Sequence, residues 1–320
     1  LADIIALLLP FFGLILIGYV AARLTGQPAE ALGWMNTFII YAALPALFFR
    51  LVSRTPIEQL TRIDFILGEI GATYLVFTAV FAIGYLWRRN SFADSTIQAF
   101  AGAYGNIGYM GPGLALLAFG DAAAVPVALI VCFENATHFI VAPAMMAATG
   151  GDKRPVHRIA TDIAKRVLVH PFILSTALGF GVAAMGLRPP EPFQRLIDYL
   201  AQAAAPCALF AMGVTLALRP LRRVPAELAY ITLFKLILLP LTTYLVLSAI
   251  GGFEPVWIYS ATLLSALPTA TNVFVISQQY GVWQERASAS ILIITLASVF
   301  TLPLVLYLIH ASSGAAYLAP

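Results

Sequence analysis

Charge is what this sequence has least of. Only 10% of its 320 residues are Asp, Glu, Lys or Arg, against about 25% in a typical soluble domain. That scarcity excludes an ordinary soluble globule, because a core of this size cannot hide 61% hydrophobic residues from water. With a mean hydropathy of +0.89, the chain reads as an integral membrane protein with several spans. Cysteine is scarce too. Cys132 and Cys207 lie in apolar runs with neither disulfide nor metal spacing, so they read as small buried hydrophobes. Also missing are a Gly-x-Ser-x-Gly run, an intramembrane aspartate pair, His/Glu zinc spacing and a phosphate-binding Gly-Lys-Ser/Thr run. These gaps argue against an enzyme and against a nucleotide-driven pump, and no cofactor or metal is expected. A net charge of +3 without a basic patch among aromatics excludes a nucleic-acid partner. The chain opens on Leu1-Ala2-Asp3 with no basic n-region, so no cleavable signal peptide is expected.

Apolar runs of about twenty residues are abundant, and such runs mark transmembrane helices. Ten are predicted: 2–22, 33–53, 64–87, 95–118, 123–147, 166–187, 196–218, 225–250, 255–279 and 285–309. The polar stretch 150–166 separates spans five and six and holds Lys153, Arg154, Arg158, Lys165 and Arg166. Twelve basic residues follow odd-numbered spans: Arg23, Arg88, Arg89, these five, Arg219, Arg222, Arg223 and Arg286. Five lie on the other side, Arg50, Arg54, Arg62, Arg188 and Arg195, and Lys235 falls inside span eight. The positive-inside rule then makes the 150–166 side cytoplasmic and turns both termini outward.

The two halves echo each other. Pro10 and Pro171, Gly18 and Gly179, and Pro45 and Pro206 share one offset of 161 residues, while Pro143 and Pro303 are 160 apart. Residues 1–149 and 166–320 are therefore expected to be two five-helix repeats joined by the linker 150–165. An odd number of spans per half inverts the second repeat, a pattern found in transporters. Spans four and nine are both interrupted. "GNIGYMGP", Gly105 to Pro112, packs glycines, an asparagine and a proline into the residues least suited to a helix interior. Its counterpart "SALPTATN", Ser265 to Asn272, holds Pro268, Thr269, Thr271 and Asn272. Non-helical backbone survives at membrane depth only inside protein or beside a watery cavity. Two matched breaks point to a substrate site whose half-helix N-termini favour an anion. Glycines such as Gly108 let the backbone approach a ligand, while Asn106 and Asn272 can each donate and accept hydrogen bonds. Two proline kinks that only shape packing are the plainer reading.

Glu134 sits mid-span in "CFENATHF", with Asn135 beside it and His138 one turn on; Glu69 and Lys235 are also within spans. Buried charges at this depth need partners. Glu134 is read as a proton- or ion-coupling group linked to Lys235 or Asn272, or else as half of a structural ion pair. Lys235 is read as snorkelling toward an interface. Gln278 and Gln279 fit either a helix end or an ion site.

"GNIGYMGP", "LPALFF", "PCALFAMGVTLA", "KLILLPL" and "LPTATNVFVISQQYG" together resemble the auxin efflux carrier family, bacterial relatives of plant PIN-type carriers, over essentially the whole chain. The resemblance implies an all-α membrane fold of ten helices in two inverted five-helix repeats, related to bile acid:sodium symporters. Spans 1, 2, 6 and 7 would form a scaffold domain, and spans 3–5 and 8–10 a core domain in which helices four and nine cross at prolines. It further implies secondary transport of small organic anions, auxin-like or mono- and dicarboxylates, by an elevator-type movement in the inner membrane, with a homodimer formed through the scaffold. The family's crossover residues match Asn106, Pro112 and Pro268, to which Gly108, Thr271 and Asn272 add. Glu134, Lys235 and Glu69 are the ion-coupling candidates. Asn36, Tyr41 and Phe48 are expected to face the site from the scaffold, and Pro10, Pro45, Pro171 and Pro206 to bend it. A channel, a receptor and a sodium-coupled symporter remain alternatives on the same scaffold.

Overall fold

The computed structural model describes residues 2–149, 161, 164–165, 168–187, 189–218 and 224–312. The basic linker expected at 150–166, residues 161, 164 and 165 apart, lies outside the described residues, as do Arg188, Arg219, Arg222 and Arg223. Among the described residues every regular element is helical, and the one extended pairing is an isolated antiparallel bridge between Gly105 and Thr269. In chain order the helices are α1 Ala2–Thr25, α2 Glu30–Ser53, α3 Ile63–Ala82, α4 Phe92–Ala103, α5 Gly111–Phe119 and α6 Ala124–Ala147. The second half holds α7 Pro171–Ala184, α8 Glu191–Leu218, α9 Leu228–Ile250, α10 Pro255–Ser265, α11 Asn272–Tyr280 and α12 Gln284–Ser312. Seven helical stretches among the described residues are long and apolar enough to cross a membrane; α7 is apolar but shorter. This is an all-helical, multi-pass membrane protein.

Prolines set much of the local geometry. A proline removes one helical N–H and crowds the carbonyl four residues back. In α2 and α9 a wide five-residue π-turn, Ile39–Ala43 and Phe234–Leu238, precedes Pro45 and Pro240 and accommodates that crowding. Pro112 does the opposite task. It occupies the first turn of α5, where the missing N–H costs nothing, and so helps α5 to start afresh after the break. Pro171 likewise opens α7, so the bend expected within span six is absent there; Pro10 and Pro206 do lie inside α1 and α8.

The helices pack in two groups. α1 lies chiefly on α8, and α7 and α8 both lie on α2. Separately, α3 packs on α4 and α9, α9 on α10, α5 on α6 and α10, and α11 on α12. Close backbone approach is required at Gly18 and Gly213: a Cβ on Gly18 would overlap the Phe210 carbonyl, and one on Gly213 the Ile15 carbonyl. Side-chain-free positions of this kind let membrane helices meet by dispersion contact, where lipid supplies no hydrophobic drive. The same role falls to Gly179 of α7, whose Cβ would lie 3.2 Å from the Phe49 carbonyl of α2.

Candidate functional site

Between α4 and α5 the chain leaves helical geometry at Tyr104, and between α10 and α11 it does so over residues 266–271. The two breaks meet. The Asn106 N–H donates to the Pro268 carbonyl at 2.8 Å, and the Ala270 N–H donates to the Tyr104 carbonyl at 3.0 Å. The Thr269 hydroxyl donates to the Ala101 carbonyl at 2.7 Å. Each interrupted segment thus satisfies polar backbone of the other, which is how non-helical chain can be tolerated at depth. Leu264 packs 3.2 Å from the Cβ that Gly111 lacks, so a side chain there would press the two segments apart.

The ends that face away from these bonds are helix N-termini. Neither α5 nor α11 has a side chain capping its first turn. Their positive dipole ends favour an anion, although the Val273 and Phe274 N–H groups of α11 and the Leu114 N–H of α5 already bond to the carbonyls of Ala270, Thr271 and Met110. Beside them lies a cavity of about 440 Å³ lined from one helical group by Asn36, Tyr41, Phe172, Met212 and Thr215, and from the other by Tyr109, Phe139, Thr271, Asn272 and Gln279. His170, just ahead of α7, completes its wall. Thr271 and Asn272 thus line the cavity. Gly108 is partly exposed, with open space where a Cβ would stand. Pro112 and Pro268 are buried in the breaks themselves. Asn106 is 2% exposed, and its Nδ2 reaches the Met212 sulfur of α8 at 3.3 Å. Asn36 and Tyr41 line this cavity. Phe48 does not: it is fully buried, edge-on to Phe172.

Behind the cavity runs a buried polar cluster. Asn272 Nδ2 donates to the Tyr104 hydroxyl at 2.8 Å, and that hydroxyl donates in turn to Asn135 Oδ1. Asn135 Nδ2 donates to the Val131 carbonyl at 2.6 Å, fixing the amide within α6. One residue earlier on α6, Glu134 Oε1 lies 3.1 Å from His138 Nε2, whose Nδ1 is 2.9 Å from the Tyr74 hydroxyl. Glu134 and Glu69 are each 3% exposed. Thr73 donates to Glu69 at 3.3 Å. Lys235 is 0% exposed and donates from Nζ to the Ser265 carbonyl at 2.6 Å. That overturns the snorkelling expected of it: the side chain turns inward, where the end of α10 offers its ammonium a carbonyl within reach. Gln279 lines the cavity one residue before α11 ends, where Gly281 adopts a left-handed cap.

Two contributors were not legible beforehand. Tyr104 gave no signal beyond its place next to Gly105. His170 is separated from both breaks by more than fifty residues of chain. Among the described residues no cluster of His, Cys, Asp and Glu could hold a metal ion.

At the far end of α2, a second cavity of about 570 Å³ is lined by Arg50, Arg54 and Gln59 on one side and by Asp121, Val125, Glu254 and Trp257 on the other. Both cavities therefore involve α2 and the group built around α5, α6 and α10–α11.

Comparison with known proteins agrees with a membrane carrier. A family profile described as "Membrane transport protein" matches residues 3–306. A protein of Rhizobium meliloti described as "Putative malonate transporter" is 65% identical over 320 residues, covering 100% of both chains. "Uncharacterized transporter YfdV" of Escherichia coli K12 is 26% identical over 308 residues, 94% of this chain and 96% of that one. An "Uncharacterized transporter" of Methanothermobacter thermautotrophicus is 25% identical over 302 residues, 91% and 93% of the respective chains.

Proposed function

Because the chain belongs to the membrane transport protein family, we propose that it is a secondary transporter of small organic anions, with malonate-like dicarboxylates as the preferred class. The observation that carries this reading is the meeting of two interrupted helices beside a cavity lined by Tyr109, just ahead of α5, and by Thr271 and Asn272 at the start of α11. A carboxylate there would accept backbone N–H bonds without needing a bound metal. Thr271 and Asn272 would add side-chain donors, Gly108 would leave room for close approach, and Pro112 and Pro268 would hold the breaks open. Asn106, tied to α8 through Met212, would sense the position of one helical group against the other. The 65% identity to a protein described as "Putative malonate transporter" supports the dicarboxylate class.

On this reading α4–α5 and α10–α11 are each one interrupted span, which brings the total to ten. Support for two inverted repeats comes from the glycine contacts: Gly18 meets Phe210 while Gly179 meets Phe49, and both pairs are related by the 161-residue offset. The group α1, α2, α7 and α8 would be the stationary scaffold, a possible dimer surface included, and the remaining helices the moving core. Sliding the core would expose the site alternately to the cavities near the two ends of α2. Glu134, Glu69 and Lys235 would be the ion-coupling residues. The setting would be the cytoplasmic membrane with both termini outside.

Counterflow in proteoliposomes tests the proposal. Liposomes loaded with unlabelled malonate should accumulate labelled malonate transiently. Asn272→Ala should lower the rate at least about tenfold, the cost of roughly one lost charge-assisted hydrogen bond. Non-saturable flux, or no accumulation of any mono- or dicarboxylate, would show a channel or another activity instead.

A further inference from the structure

Among the described residues, the lining of the cavity beside the breaks contains no Lys, Arg, Asp or Glu. Its polar groups are amides, hydroxyls and one imidazole, that of His170. This ring is held in place on several sides. The His170 carbonyl accepts from the Leu174 N–H at 3.0 Å, which fixes the main chain just ahead of α7. Its Nδ1 accepts from the Phe172 N–H at 3.4 Å. The half-buried ring rests against Phe139 of α6 and Phe172 of α7, with each ring centroid 4.7 Å from its own. A ring nitrogen that accepts a hydrogen bond carries no proton, so the neutral imidazole keeps its proton on Nε2. Nε2 has no hydrogen-bond partner among the described residues. The one donor that the ring has left for a ligand is therefore Nε2–H.

Thr271 and Asn272 line the cavity from the group that contains α11, whereas His170 lines it from the group that contains α2 and α7. A monocarboxylate needs only one of these walls, but a short dicarboxylate has an anionic group for each. We propose that His170 is a specificity-determining residue: its Nε2–H donates to the second carboxylate of the substrate, the one that Thr271 and Asn272 do not hold. This rests on the proposed transport of organic anions and adds what separates a dicarboxylate from a monocarboxylate. A hydrogen bond to an ionised acceptor is about twice as strong as one to a neutral acceptor. An ester in the second position therefore gains less from the same donor. Because the donor stands on the opposite helical group from Asn272, sliding the core breaks the contact, so the second carboxylate is read at this cavity alone.

The purified full-length protein in detergent provides the test, titrated with malonate and with its monomethyl ester, which keeps one carboxylate and blocks the other. Unmodified protein should bind malonate at least about tenfold more tightly than the ester. His170→Phe keeps an aromatic ring and removes the donor. Its affinity for malonate should fall about tenfold and that for the ester by less than about twofold, so the preference collapses. His170→Gln restores a side-chain N–H and should keep most of the preference. Equal losses for both ligands, the mark of a merely structural role, would overturn the proposal. So would an undiminished malonate preference in His170→Phe. A second measurement needs no variant to fold: diethyl pyrocarbonate modifies imidazole nitrogens, and mass spectrometry counts the modified His170 peptide. Filling the site with malonate should slow that modification at least about fivefold, and the ester should slow it less. Modification at the same rate with and without bound malonate would overturn the proposal. If the unmodified protein binds neither ligand, the transport reading falls and this inference with it. Malonate counterflow with unchanged selectivity in His170→Phe would remove this inference alone.

Discussion

At the scale of single residues, the chemistry of this protein is concentrated in a few side chains that would be unremarkable elsewhere. Tyr104 is the clearest case. Its hydroxyl links Asn272, at the cavity, to Asn135 in the buried cluster. Tyr104→Phe keeps the ring and removes that link, leaving amide groups of both asparagines without their partner. An unsatisfied buried polar group costs about 1–3 kcal/mol, so malonate affinity should fall about tenfold, equivalent to about 1.4 kcal/mol. Isothermal titration of detergent-purified protein checks this; unchanged affinity would place the network outside the binding process. The two asparagines at the breaks were readable from the sequence because a polar amide inside a long apolar run is costly without a purpose. Tyr104 was not, since an aromatic in such a run is ordinary.

The helices illustrate a different balance. Their existence follows from apolar length, and the breaks in spans four and nine follow from Gly105, Gly108, Pro112 and Pro268, residues that resist helical geometry. How closely two helices approach is decided by much smaller features. Gly18 and Gly213 let α1 and α8 touch backbone to backbone, whereas Gly13, on the same helix as Gly18, has nothing within 4 Å of its missing Cβ. Gly213→Ala should therefore destabilise the protein by about 1–3 kcal/mol or more through overpacking. Gly13→Ala should be neutral or stabilise by about 0.5–1 kcal/mol, because alanine restricts the unfolded chain and favours helix. Thermal melting of the two variants in one detergent compares them directly. Equal melting temperatures would mean that α1 and α8 separate at little cost. The wide turns before Pro45 and Pro240 belong to this scale as well: proline announces a disturbance, but only the folded helix shows whether it becomes a kink or a π-turn.

For the molecule as a whole, the proposed mechanism rests on the separation into two helical groups. If the core slides on the scaffold, tying the groups together far from the substrate cavity should stop exchange. Arg54 and Glu254 line the cavity at the far end of α2 from opposite groups. In a background lacking Cys132 and Cys207, Arg54→Cys combined with Glu254→Cys and bridged by a short bifunctional thiol reagent should abolish malonate counterflow. Substrate binding measured by titration should persist, because the cavity near Asn272 is at the other end. Full exchange by the cross-linked protein would exclude a sliding mechanism. The amino-acid sequence alone determined that the protein lies in a membrane, that it is built of helices, and where two of them break. These are properties of composition and of local backbone preference, which act within a few residues along the chain. The tertiary structure decided that the breaks satisfy each other, that Lys235 points inward to a helix end, and that Tyr104, Asn135 and His170 join the site. Those outcomes depend on which distant segments come into hydrogen-bonding range. No local preference encodes that, because the deciding energy is the cost of a polar group left unpaired in an apolar interior.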